Sequence, residues 1–191
     1  MPALEAASKA NIIKDALLLL GEYEIQSLTD DSYAVQVANR RFEPLYEDLL
    51  TKGRWRFATT KAELSQLVAE PLNEWKYAYQ LPGDLCLIVK VEPQGNYEVF
   101  GDTIYSNASS LSLDYVYKPE VGDLPPYFSL LLTYRCAMEW ARPVTEGSTR
   151  RGELKQLYDE QLNAARYADS QGRPNAPFSD SPFTVGREDW R

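Results

Sequence analysis

Histidine does not occur in this 191-residue chain. That one absence removes Ser-His-Asp and Cys-His nucleophile systems, histidine general bases and the usual zinc-ligand sets together. Phosphate-cradling glycine loops are missing as well, both the Gly-x-x-x-x-Gly-Lys form and the Gly-x-Gly-x-x-Gly turn. Cysteine is scarce: Cys86 and Cys136 stand far apart, neither in a Cys-x-x-Cys pair, and both are read as buried free thiols. Any chemistry is therefore left to carboxylates, and no metal or cofactor is expected. No stretch approaches the roughly 20 consecutive apolar residues that a membrane span requires. The opening Met1-Pro2-Ala3-Leu4-Glu5 has no basic region before an apolar run, so it does not read as a secretory signal, and the chain is expected to stay in the cytoplasm where it is made.

Positive charge is also in short supply. Twenty Lys and Arg face 28 Asp and Glu, for a net charge of −8 and a pI near 4.7. Phosphate backbones attract clustered cations, so stable sequence-specific DNA binding is not expected of this chain, and only sliding contact is left open. The nearest approach to a basic patch is Arg40-Arg41 with Lys52, Arg54 and Arg56, read as parts of two helical surfaces. Arg54 and Arg56 are read as solvated or paired with acidic neighbours rather than as DNA contacts. What the chain does have is an apolar fraction of 44% with 25% charged residues and a mean hydropathy of −0.43. That composition supports a single folded unit with a sizeable core.

Periodicity divides the chain. Ala6, Ala10, Ile13, Leu17 and Leu20 recur at helical spacing from Leu4 to Leu20, and Gly21 stands where a C-terminal cap belongs. Asp30-Asp31-Ser32 is an N-capping cluster for a second helix with the stripe Val35, Ala38, Phe42, Leu45, Tyr46 and Leu49. Pro44 inside it predicts a kink, and Gly53 marks the end. Trp55 and Phe57 alternate with Arg56, which predicts a short extended turn with both rings on one side. A short helix is expected from Ala62 to Val68. Beyond Glu74 the spacing changes to two: Trp75, Tyr77 and Tyr79, a turn at Leu81-Pro82-Gly83-Asp84, then a nearly continuous apolar run from Leu85 to Val91 that reads as a buried strand. Gly101-Asp102 signals a hairpin between Tyr97–Phe100 and Thr103–Ser106, and Leu111, Leu113, Tyr115 and Tyr117 form a half-buried strand.

Helical spacing then returns. Leu124-Pro125-Pro126 opens a helix carrying Leu130, Leu131, Tyr134, Ala137, Met138 and Ala141 up to Pro143. Ser148-Thr149 can cap a last one carrying Leu154, Leu157, Tyr158, Leu162, Ala165 and Ala168. After Gly172, prolines and isolated Phe178, Phe183 and Trp190 mark an irregular tail. The expected fold is α+β: an antiparallel helical bundle of about four main helices, interrupted by a small antiparallel β lobe and followed by an extended C-terminal arm. The corresponding segments are 1–70 for the first helices, 71–123 for the β lobe, 124–170 for the helices completing the bundle, and 171–191 for the arm.

The order of these elements resembles the tail tubular protein A family, the head-to-tail adaptors (connectors) of short-tailed phages. The residues that carry the resemblance are Leu18-Leu19-Leu20-Gly21 at the end of the first helix and Trp55-Arg56-Phe57-Ala58 after the second. They continue with the element Tyr77-Ala78-Tyr79-Gln80-Leu81-Pro82-Gly83-Asp84, the strand Leu85 to Val91, and the strand ending in Tyr115 and Tyr117 before two terminal helices. The likeness spans roughly residues 4 to 170. It resides in order and spacing, since none of the motifs is specific alone.

The resemblance implies a non-enzymatic virion protein, made in the host cytoplasm and placed in the neck of the particle. It implies a ring of copies of this chain, twelve-fold in the family, between the portal protein and a tail nozzle protein of the tail tubular protein B type. Double-stranded DNA would pass through the ring without specific binding, past an acidic wall, with no cofactor, metal or membrane involved. Because related adaptors dock on the portal through their C-terminal segment, Phe178, Phe183 and Trp190 are the portal-docking candidates. Trp55 and Phe57 are read as core residues wedging the bundle against the sheet. Tyr97, Tyr105, Tyr115 and Tyr117 are read either as intramolecular cover or as subunit contacts.

Two other classes compete. Some related adaptors cleave peptidoglycan, and glycoside hydrolysis needs only two carboxylates, one kept protonated in an apolar pocket. Glu139, between Met138 and Trp140, is the one carboxylate here with such sequence neighbours, though adjacent helical residues point in different directions. The third class is a soluble scaffold or bacterial regulatory protein unrelated to phages.

Overall fold

The structure, a computed structural model, describes residues 8–22, 27–68, 71, 74–145 and 148–171. The first helix, α1 (Lys9–Leu18), starts where the Ser8 hydroxyl accepts the Asn11 N–H at 3.1 Å. It closes as its glycine predicts: Gly21 has φ +91°, and the Glu22 N–H reaches back to the Leu17 carbonyl. Ser32 caps α2 (Tyr33–Thr51) by accepting the Val35 N–H at 3.2 Å. Val35, Ala38, Phe42, Tyr46 and Leu49 are buried as the stripe requires, with Leu50 in addition. The helix runs through Pro44, which lies on its exposed side together with Arg40, the residue whose carbonyl loses its donor there.

Past α2 the chain departs from its expected course in two places. Arg56–Ala58 is a turn of 3₁₀ helix rather than an extended turn. The segment expected to be a short helix from Ala62 to Val68 is extended: β1 (Thr59–Glu63) pairs with β6 (Ser112–Tyr117), and Gln66 makes a bridge to Tyr79. The apolar spacing over Ala62–Val68 is too short to stabilise a helix alone, and an open edge of β6 offers its backbone groups a full ladder. The β lobe therefore takes a strand from before residue 71.

The remaining strands are β2 (Tyr77–Gln80), β3 (Leu85–Glu92), β4 (Tyr97–Phe100) and β5 (Thr103–Ser106). They build two antiparallel three-stranded sheets rather than one, ordered β1-β6-β3 and β2-β5-β4. The Gly101-Asp102 turn joins β4 to β5 with Phe100 opposite Thr103 and Gly101 at φ +60°. β3 is a half-buried edge strand, not the fully buried one its composition announces. Two register shifts, around Cys86 and Val89, explain its apolar continuity. Each inserts a residue that turns towards the helices, so Cys86, Leu87 and Val89 pack on the bundle while Leu85, Ile88 and Val91 pack between the sheets. The central strand β6 is likewise shared: Leu113 and Tyr115, with Leu111 just before the strand, belong to the sheet core and Val116 to the bundle core.

Helix α3 (Pro126–Thr145) packs against α1, α2 and the last helix, α4 (Ser148–Ser170). Being surrounded, it buries more than one stripe: Phe128, Leu131, Leu132, Cys136, Ala137, Trp140 and Ala141 are all inaccessible. Leu130, placed on the stripe by spacing, is 43% exposed instead. On α4 the buried residues are Leu154, Tyr158 and Ala165, while Leu157 and Ala168 face outward. A helix with one neighbour buries only a narrow stripe. Arg135 ties three helices together, holding Asp48 on α2 at 3.0 Å and Glu139 at 2.7 Å with its guanidinium 5.9 Å from the Tyr158 ring on α4. No described helix is long and apolar enough to cross a membrane.

Candidate interaction surfaces

The Trp-x-Phe-Ala element is a structural joint. Trp55 is 2% exposed, and its indole N–H donates to the Leu49 carbonyl at 3.0 Å, closing the last turn of α2. The half-buried Phe57 meets Phe128 at 4.8 Å between centroids, and Trp55 meets the same ring at 5.0 Å, both edge-on. Tyr117 donates its hydroxyl to the Phe57 carbonyl at 3.4 Å from the sheet side. A Cβ at Gly53 would lie 3.3 Å from the Trp55 ring, a tight contact that the indole would have to yield to by a few tenths of an ångström. Both rings thus sit where bundle and sheet meet, on one side of the turn.

The element Tyr77 to Asp84 braces one sheet against the other. Tyr79 is buried and donates its hydroxyl to the Ala108 carbonyl, and Leu81 is buried with its N–H on the Asp102 carbonyl. Tyr77 and Pro82 are half-buried. Asp84 is exposed, accepts the Tyr115 hydroxyl at 3.2 Å, and offers its carbonyl to the Lys118 N–H. Burial, and then the Asp84 carboxylate, push the Tyr115 phenol above its ordinary range. With 6% exposure Tyr115 is core, and Tyr117 is half-buried at the joint, so neither belongs to an outer face. Of the four tyrosines considered for subunit contacts, Tyr97 is exposed and Tyr105 half-buried against Phe100, both on the β4–β5 hairpin.

That hairpin is the most open part of the lobe. All four residues of β4 are exposed, with Tyr97, Val99 and Phe100 at 41, 40 and 57%, and β4 is an outer strand of its sheet. A second apolar surface is a groove of about 480 Å³ between α1 and α3, flanked by the exposed Leu18 and Leu130.

Charged groups gather at two clefts. One, of about 490 Å³, lies between α2 and the start of β3 and holds Glu47, Asp48, Asp84, Cys86 and Lys118. Lys118 bonds Glu43 and Glu47 at 2.8 Å each, and Lys9 bonds Glu43 at 2.8 Å. Cys86 is half-buried rather than buried, and burial, followed by the Glu47 charge, raises its thiol pKa. Cys136 is the buried thiol, raised strongly by desolvation. Among the described residues no group of three or more Cys, Asp or Glu is placed to hold a metal ion. Glu139 is ion-paired to Arg135, the opposite of the isolation in an apolar pocket that keeps a general acid protonated.

The other cleft, about 420 Å³, is lined by Lys52, Gly53, Arg54, Trp55 and Arg56 together with Arg166, Asp169 and Ser170 from the end of α4. Asp169 accepts the Arg56 backbone N–H at 2.9 and 3.2 Å and the Tyr127 hydroxyl at 2.9 Å. Lys52 pairs with Asp48, and Arg166 reaches the Lys52 carbonyl at 3.4 Å. Arg54 and Arg56 are exposed and have no carboxylate partner among the described residues. The sequence shows the Lys52–Arg56 half of this cleft, but Arg166 joins it from 110 or more positions away, and no local pattern announces that. Phe178, Phe183 and Trp190 lie outside the described residues. No family model and no curated protein matches this chain.

Proposed function

We propose that this chain is a structural, non-catalytic subunit that assembles into a ring and serves as a head-to-tail adaptor in a phage neck, between the portal and the tail nozzle. The observation that carries the reading is the work done by the two motifs behind the family resemblance. Trp55–Ala58 locks the bundle to the sheet, and Tyr77–Asp84 locks the two sheets together, so both specify a rigid body rather than a reaction site. The chain completes its own core and still presents apolar side chains in two separate places, on the β4–β5 hairpin and along the α1–α3 groove. Surfaces of that kind are what subunit and partner contacts use. The residues after Gly172 are the proposed portal anchor, with Phe178, Phe183 and Trp190 as its apolar points. DNA passage through the ring follows from the same reading.

The test places purified chain with portal in native mass spectrometry and electron micrographs. A dodecameric ring on the portal is the expected result, and a chain that stays monomeric with portal present overturns the proposal. Deleting residue 172 onward should abolish portal binding while leaving helical circular dichroism intact. Undiminished binding by the truncated chain would refute the anchor assignment.

A further inference from the structure

We infer that neighbouring copies join head to tail through opposite charge, the β4–β5 hairpin of one copy seating on the Arg54–Arg56–Arg166 cleft of the next. The inference rests on the ring reading and names the two faces that would meet in it. A closed ring is built from one heterologous contact, so each subunit must carry two different, complementary faces. Subunits of net charge −8 repel one another unless charge is segregated at the contact.

The chain has that segregation. From Val91 to Tyr117 there is no Lys or Arg. Of the four carboxylates in that stretch, Glu92 is paired with Lys90 and Asp114 with Lys61. Among the described residues Glu98 and Asp102, on the hairpin, have only neutral partners: the Trp75 indole N–H for one, the Gln80 amide and Thr103 hydroxyl for the other. Their charge is uncompensated, and it stands beside exposed Tyr97, Val99 and Phe100 on an outer strand whose open edge needs cover. The cleft is its opposite. Among the described residues Arg54, Arg56 and Arg166 have no ion-pair partner, and the three guanidiniums outnumber the one acid that lines the cleft with them, Asp169, which accepts a backbone N–H and a tyrosine hydroxyl.

Shape separates a second copy from DNA as the occupant. The cleft is a confined site of about 420 Å³, the scale of a few side chains of an exposed hairpin, whereas a duplex needs a long cationic track and would meet a chain of net charge −8.

Two charge-reversed chains test the pairing. One carries Arg54→Glu, Arg56→Glu and Arg166→Glu, the other Glu98→Lys and Asp102→Lys. Circular dichroism controls for folding, and carbodiimide treatment of the unmodified chain looks for a Lys52 to Glu98 or Asp102 cross-link between copies. With portal present, each reversed chain alone should associate roughly a hundredfold more weakly than the unmodified chain. An equal mixture should recover ring assembly, because every contact in an alternating ring is again between opposite charges. Unmodified chains that assemble while both reversed chains assemble equally well overturn the inference and leave the ring reading standing. Unmodified chains that never assemble overturn both. A cleft variant that assembles normally but loses retention of duplex DNA assigns the cleft to phosphate and likewise overturns the pairing.

Discussion

Replacing Phe128 by alanine strikes the point where every layer meets. The ring is fully buried and touches Tyr46 at 6.3 Å, Trp55 at 5.0 Å and Phe57 at 4.8 Å, all edge-on. Phe→Ala in a core costs about 3–5 kcal/mol through lost transfer energy and the cavity left behind. Three aromatic neighbours, held by α2, the 3₁₀ turn and the sheet, cannot collapse into the space together, so the upper half of that range, about 4–5 kcal/mol, is expected. Against a total stability on the order of 5–15 kcal/mol this is a large fraction. For a chain of this size it corresponds to a fall in Tm of roughly 8–20 °C. Phe128→Leu retains most of the volume and loses the edge-on contacts, and should cost about 1–2 kcal/mol. Urea unfolding followed by circular dichroism and tryptophan fluorescence measures both, with Leu130→Ala as the exposed control. If Phe128→Ala costs less than about 1 kcal/mol, or no more than Leu130→Ala, the joint between bundle and sheets is not where the structure places it.

Three other perturbations report on separate features. Hydrogen bonds from Lys118 and then Lys9 hold the Glu43 pKa below its ordinary value of 4.5, so its contribution is complete above that pH and is lost as pH falls through the depressed value. Glu43→Gln should therefore flatten the stability profile only on the acid side of about 4.5, and a change confined to neutral or alkaline pH would contradict the assignment. A thiol reagent should modify Cys86 slowly in the folded chain and reach Cys136 only on unfolding, as fits a half-buried thiol and a fully buried one; rapid native labelling of both would refute their placement. Arg135→Met leaves Asp48 and Glu139 without their shared cation and should cost about 1–3 kcal/mol, discounted because Asp48 is 42% exposed; a neutral result in thermal unfolding would show that the three helices do not depend on it.

Helices α1 and α2 were legible because each buries one main stripe, which leaves a 3.6-residue trace, and their caps at Gly21 and Ser32 are local chemistry. The Gly101-Asp102 hairpin was legible for the same reason, since a two-residue turn is specified by the residues that make it. Wherever an element has neighbours on several sides, the trace blurs. Helix α3 buries Trp140 and Leu132 and exposes Leu130 because three helices surround it, and its own spacing holds no record of them.

Composition and local order determined that the chain has no histidine-dependent chemistry, carries excess negative charge, and runs helix–helix, strands, helix–helix. Tertiary structure alone decided that Ala62 extends into a strand, because the open edge of β6 satisfies its backbone groups better than an isolated turn of helix does. Long-range packing also decided that Tyr115 is core while Tyr97 faces outward, since strand alternation says which residues share a face but not which face finds cover. By the same rule Arg166 comes beside Arg54 and Arg56 only when α4 folds back along the bundle. A cationic cleft on an acidic chain is therefore a property of the fold, built from charges that the sequence keeps far apart.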